Sequence, residues 1–360
     1  MKTFFILGRN PQLSRLEISS YLTARKINFE EVLFQENFLI LNIPDSFDLN
    51  IQELGGVIKV GKILFNSPLE SEFDKFLDKN ELIPEDKFSY SVFGNGEPDK
   101  FKEKFKIEKK KAVLKHGREN IKFQGEVINR LPKSKYSLFL FIDKSNIYFG
   151  IVDKEYDYHE VERRDMEKPI RRESLAISPR LSKILINLSQ IKQGETLLDP
   201  FCGIGGIIQE ALIQGVNCVG IDKDKLAIDD AKKNISWLKQ TYKIDTNCIL
   251  QNLDAKNTPD NQFDAIATET PLGILLTKRP TDQEAKEIIR QFEIMITPIL
   301  QRLKKVKKPL AKIAITFPVV KSLRVNSRKV AKESSLRIIS GPIIESRPDQ
   351  FISREILVLE

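Results

Sequence analysis

"TLLDPFCGIGGIIQEALIQGVNCVGIDKD", Thr196 to Asp224, is the stretch on which the fold turns. An apolar run closes on Asp199; a loop with Gly203, Gly205 and Gly206 follows, then a helix-like segment, then a second apolar run ending at Asp222. Strand, glycine loop, helix and strand in that order predict a βαβ unit with parallel strands and a right-handed crossover. In sheets of this kind ligands bind at the carboxyl ends of the strands, near the point where strand order reverses. Asp199 stands at one such end. Asp222 stands at the next, where a carboxylate accepts hydrogen bonds from a ribose diol. "NLDA" predicts a third end, with Asp254 near an adenine edge, and "ATETPLG" a fourth.

Two ligand classes suit such a cleft, and the loop discriminates between them. A pyrophosphate-binding turn has the spacing Gly-x-Gly-x-x-Gly, the third glycine allowing close helix packing. Here the third position is Ile208, and a carboxylate, Asp199, precedes the loop with Pro200. That carboxylate repels a pyrophosphate but suits the positive end of an amino-acid moiety. The pattern therefore favours S-adenosylmethionine over a nicotinamide dinucleotide.

Outside this stretch the chain reads as a multi-domain globular protein. It has 360 residues with a formal charge of +8, a balance that suits a polyanionic partner such as nucleic acid. The cysteines Cys202, Cys218 and Cys248 are odd in number and lack metal-ligand spacing, and only His116 and His159 are available to join them. No metal site is expected, and Cys202 is read as a small packing residue. No apolar run is long enough to cross a bilayer, and "MKTFFILGRNPQLS" reads as a first strand, so the expected location is cytoplasmic with no membrane partner.

Towards the amino terminus, "KTFFILG" and "NFLILNIP" read as strands around an amphipathic helix, "LSRLEISSYLTAR". "DKFKEKFKIEKKKAVLKHGREN" places Phe101, Phe105 and Ile107 at helical spacing among lysines, while "YSLFLFID" and "NIYFGIVD" form a hairpin. The charged segment 161–177, broken by Pro169, reads as an ordered linker. It leads into a helix capped by Ser178 and begun by Pro179. Strand and helix then alternate to the end, which predicts a mainly parallel sheet with helices on both faces.

With these residues in view, the chain resembles the THUMP-containing, Rossmann-fold RNA methyltransferases, especially the archaeal-type tRNA guanosine-10 N2-methyltransferases. "FFILGRNPQLSRLEI" is similar to their amino-terminal ferredoxin-like segment, "RRDMEKPIRRESLAISPRLSKILINLS" to their linker and first methyltransferase helix, and "LLDPFCGIGGIIQEAL" to their cofactor loop. The resemblance implies an α/β fold: a ferredoxin-like α+β domain at 1–60, a THUMP-like RNA-binding domain at 61–160, a linker at 161–177, and a Rossmann-like methyltransferase domain with a mainly parallel seven-stranded sheet at 178–360. It implies that Asp199, Pro200, Phe201, Gly203 and Gly205 serve the methionine end and loop, Asp222 the ribose and Asp254 the adenine. It further implies an enzyme that methylates the exocyclic N2 of a guanosine in tRNA or another structured RNA, with room for a small activator subunit.

The fourth strand end departs from the family pattern. Where the family carries Asp-Pro-Pro-Tyr-Gly after a threonine, this chain has Glu269, Thr270, Pro271, Leu272 and Gly273. The resemblance makes Glu269, Thr270, Pro271 and Leu272 the catalytic segment. Its acid accepts a hydrogen bond from the amine and holds it in line with the methyl group. Leu272 offers no aromatic face for a flipped base, where stacking contributes roughly 1 to 3 kcal/mol. Two alternatives follow from that motif: an RNA-binding protein with a decayed catalytic segment, or a methyltransferase acting on adenine N6 or on another RNA. The acid Asp264 is expected to be a turn or cap residue.

Overall fold

The computed structural model describes residues 1–116, 118–123, 126–130, 133–172, 177–271, 279–346 and 351–360, with the backbone alone at 118–123 and 126–130. To residue 155 the elements are β1 (Lys2–Leu7), α1 (Pro11–Ala24), β2 (Glu30–Gln35), β3 (Phe38–Asn42), β4 (Val57–Ser67), α2 (Glu70–Lys79), β5 (Lys87–Phe93), α3 (Asp99–Ile107), β6 (Lys111–Leu114), β7 (Arg118–Phe123), β8 (Glu126–Arg130), β9 (Tyr136–Ile142) and β10 (Ile147–Glu155). Then follow α4 (Tyr158–Glu167), α5 (Pro179–Leu188), β11 (Thr196–Asp199), α6 (Gly206–Ile213), β12 (Asn217–Asp222), α7 (Lys225–Tyr242), β13 (Cys248–Asn252), β14 (Ala265–Glu269), α8 (Asp282–Val306), β15 (Ile313–Val320), β16 (Leu323–Arg324), α9 (Ser327–Glu333), β17 (Ile338–Glu345) and β18 (Ile352–Leu359). The chain divides into two compact units: one of Met1–Pro11, Asn28–Ile51 and Val57–Tyr156, the other of Gln12–Ile27, Gln52–Gly56 and Asp157–Glu360. Among the described residues no helix is long and apolar enough to cross a membrane.

The first unit is built on a sheet of order β2-β3-β1-β4-β10-β9-β5-β6. Its pairs are antiparallel except for β5 with β6 and β5 with β9. The boundary expected between residues 60 and 61 falls inside β4, which pairs with β1 on one side and β10 on the other. The two expected amino-terminal domains thus share one sheet. Helices α2 and α3 bury Phe73, Leu77, Phe101 and Phe105 in one apolar cluster with Tyr90, Leu138 and Phe149. Ile107, expected on that same face, is 78% exposed, because two residues beyond Phe105 turn the helix by about 200°.

The second unit carries a sheet of order β13-β12-β11-β14-β15-β18-β17, with β16 paired to β15. Strands β11 to β15 run parallel and β18 runs antiparallel between β15 and β17. The order reverses between β11 and β14. Leu197 belongs to an apolar cluster with α5, α6 and α7, and its neighbour Leu198 to one with α8 and α9, so the alternation of a strand places helices on both faces. As its residues predict, α5 is capped by the Ser178 hydroxyl, starts at Pro179, and buries Leu181, Ile184, Leu185 and Leu188.

Residues 161–167 of the expected linker are helical. They belong to α4, begun by the Asp157 side chain accepting from Glu160 N at 3.0 Å. Its buried Arg164 pairs with buried Glu210 of α6 at 3.0 Å. The amino-terminal helix α1 is also held within this second unit. Glu17, fully buried, accepts from Gly55 N at 2.6 Å, Gly56 N at 2.7 Å and the Asn187 side-chain amide at 2.8 Å. Burial pushes its carboxyl above the usual glutamate range, and these three donors and the Arg180 charge oppose that rise.

Replacing Glu17 by alanine leaves two backbone N–H groups buried without their acceptor and the Asn187 amide with the Glu53 carbonyl alone. The expected loss is about 3 kcal/mol in the stability of the second unit. Denaturant unfolding followed by the emission of Trp237, the single tryptophan, reads it. A loss below about 1 kcal/mol would contradict the role of this carboxylate as a clasp.

Candidate functional site

The site is assembled at the carboxyl ends of β11, β12 and β14. Asp199, the last residue of β11, is 1% exposed and accepts from the Thr268 hydroxyl at 2.6 Å and from Phe201 N at 3.2 Å. Burial pushes its carboxyl up to about 7, against the pull of those two donors and with the charges of Asp222 and Glu269 adding to the rise. Pro200 is buried, and the half-buried Phe201 packs against the α8 cluster.

The loop that follows needs its glycines. Gly203 has φ +51° and Gly205, which caps α6, has φ +88°, a region that favours residues without a Cβ. A Cβ at Gly203 would meet nothing within 4 Å, so the space beside the loop is open. Gly203 N donates to Asp222 Oδ2 at 2.9 Å, while Asp224 N donates to Oδ1 at 2.9 Å. One carboxylate therefore ties the loop to the turn that starts α7. The other side of the loop is held by Asn234 of α7, fully buried, whose amide donates to the Ile204 and Ile170 carbonyls, each at 3.1 Å. Sequence reasoning passed over Asn234; its signal was an amide on the apolar stripe of an amphipathic helix.

Asp254 follows β13, but its carboxylate caps the short turn Ala255–Asn257 by accepting from Lys256 N at 2.9 Å, and the residue is exposed. Asn252 links this end to the site, its amide donating to the carbonyls of Asp222 and Lys223 at 3.0 and 2.9 Å.

At the end of β14 the motif residues part company. Thr270, 1% exposed, donates its hydroxyl to the Thr316 carbonyl of β15 at 2.6 Å, and its N–H to the Thr316 hydroxyl at 3.3 Å. Its hydroxyl thus holds two strands together. Glu269 accepts from Arg354 Nε of β18, and the two side chains are 12% and 6% exposed. Pro271 is exposed. Leu272 and Gly273 lie outside the described residues. Neither Thr268, the link between Asp199 and β14, nor Arg354 was singled out from sequence.

Other expectations resolve by packing. Cys202 is buried beside Gly220, and burial pushes its thiol up, away from the reactive thiolate. Asp264, expected as a turn or cap residue, accepts from Thr196 N at 3.0 Å, at the start of β11, and pairs with Lys308. At the end of α8, Arg302 donates to the Thr258 carbonyl and pairs with Asp260, and Lys304 donates to the Ser335 carbonyl.

Asp199 lies close enough to Asp222 and Glu269 for both charges to act on it, and Arg354 is bonded to Glu269.

The family described as UPF0020, RMKL-like methyltransferase domain, matches residues 169–302. A tRNA (guanine(10)-N2)-dimethyltransferase from Methanothermobacter thermautotrophicus is 35% identical over 118 residues, covering 32% of this chain and 33% of that protein. The match therefore spans about a third of that relative's length. The solved structure of TrmN from Thermus thermophilus superposes with a TM-score of 0.58 at 14% identity, covering 100% of this chain and 99% of that one, a likeness of fold. A probable tRNA (guanine(10)-N2)-dimethyltransferase from Methanothermococcus thermolithotrophicus is 31% identical over 114 residues, 29% of this chain and 67% of that protein. On that coverage the chain belongs to the tRNA (guanine(10)-N2)-dimethyltransferase family.

Proposed function

We propose that this protein is an S-adenosylmethionine-dependent methyltransferase acting on the exocyclic N2 of a guanosine in tRNA. The observation that carries the reading is the convergence of Asp199, the Gly203–Gly205 loop and Asp222 at the point where strand order reverses, with Glu269 at the adjoining strand end. The donor set fits the cofactor. Carboxylates suit an ammonium and a sulfonium, and the open space beside Gly203 admits a chain that a Cβ would obstruct.

When bound, S-adenosylmethionine supplies an electrophilic methyl group on a positive sulfur. Asp199 would face the amino-acid end, Asp222 the ribose, and Asp254, beside its turn, the adenine, with Pro200 and Phe201 walling the loop. Glu269 would accept a hydrogen bond from the guanine amine, whose lone pair is delocalised into the ring and needs orientation to react. Thr270 and Pro271 would shape the backbone there. The first unit, with its lysine-bearing α3 and β6, would grip the RNA through phosphates and shape as a THUMP-like module.

The purified chain, given unmodified total tRNA and labelled S-adenosylmethionine, is expected to yield N2-methylguanosine on nucleoside analysis. Methyladenosine as the sole product would favour the adenine N6 alternative, and no product with both ligands bound would favour a decayed RNA-binding protein. Adding a candidate small subunit to the same assay reads whether one is required.

Glu269→Ala is expected to lower kcat by at least about a hundredfold with the cofactor Kd unchanged. Full activity in that variant would remove Glu269 from the reaction. Cofactor affinity should also follow the Asp199 proton. A cationic ligand prefers the ionised carboxylate, so binding releases a proton below about pH 7 and tightens as pH rises through about 7, then levels. Calorimetry across pH in wild type and Asp199→Asn checks this, since the rise should be lost in the amide variant.

A further inference from the structure

Arg354 lies on β18, opposite Pro318 of β15, and β15 separates β18 from β14. Even so, its Nε donates to Glu269 Oε1, 85 residues away in the chain, with both side chains largely buried. A buried ion pair contributes little net stability over an apolar pair of similar volume. Its value here lies in what it does to the carboxylate at the strand end.

We propose that Arg354 is a positioning residue for the methyl-transfer reaction: it holds Glu269 through Oε1 and leaves Oε2 turned to accept from the exocyclic amine. The inference rests on the reaction proposed above. A glutamate at a strand end has three side-chain torsions to fix, and an acceptor displaced by about 1 Å costs about a hundredfold in rate. A guanidinium bonded to one oxygen removes most of that freedom, because its planar donors also orient the carboxylate plane. The backbone of the next residue is fixed from β15 by the two bonds between Thr270 and Thr316. Main chain and side chain of this corner are thus anchored from two neighbouring strands. The longer acid belongs to the same device, since an aspartate at 269 would sit one methylene short of Arg354.

The test is steady-state methyl transfer to tRNA by Arg354→Met, Arg354→Lys, Glu269→Gln and the Glu269→Gln/Arg354→Met double variant, with cofactor Kd measured for each. Arg354→Met is expected to lower kcat by about tenfold to a hundredfold, leaving the KM for tRNA and the cofactor Kd within about twofold. Arg354→Lys should recover part of the loss, and in the Glu269→Gln background the methionine should cost less than about twofold more. Losses that add independently, a loss carried by KM or Kd, or a lysine no better than methionine would each overturn the role. If Arg354→Met unfolds, as Trp237 emission would reveal, Arg354→Lys and its pairing with Glu269→Gln make the same comparison. No transfer by the wild-type chain would overturn the reaction itself, and Arg354's part falls with it.

Discussion

The bond from the Thr268 hydroxyl to Asp199 Oδ1 joins the ends of β11 and β14, the two strands between which the sheet order reverses. A carboxylate buried to 1% exposure needs such a donor, since an unpaired buried charge is among the most costly features a fold can carry. The remaining groups of the site are arranged around that anchored acid. Phe201 N turns the loop back on it, Asp222 catches Gly203, and Asn234 holds Ile204 from the far side. The glycine loop is a pre-formed edge, restrained at both flanks by side chains of the elements on either side of it.

That arrangement collects acids. For Asp199, burial and the charges of Asp222 and Glu269 place the carboxyl near neutrality. Such a cleft is poorly matched to a phosphate and well matched to a cation. Arg354 is the positive group that the structure brings to the Glu269 end of this cluster.

The second unit also draws in chain from far upstream. Glu17 of α1, residues 52–56 and Asn187 of α5 share a buried carboxylate clasp, so a helix that sequence order assigns to an amino-terminal domain counts with the methyltransferase sheet. The driving constraint is donor satisfaction. Two backbone N–H groups in a buried turn take one carboxylate as their acceptor.

The sequence by itself determined the strand–glycine loop–helix–strand unit, the acids at its strand ends, and the alternation that makes a parallel sheet. These are local properties: apolar period, chain reversal and left-handed backbone are written into consecutive residues. It also carried the capping of α5 by Ser178. What only the tertiary structure decided are the pairings across distance. Arg354 meets Glu269 because β18 runs antiparallel beside β15, and Thr270 is held to Thr316 because β14 and β15 lie in parallel register. The charged segment before α5 hid a helix because its arginine finds a buried partner in α6. Charge in a sequence reads as solvation until the fold supplies the opposite charge, and that supply depends on strand order and register, which no local pattern encodes.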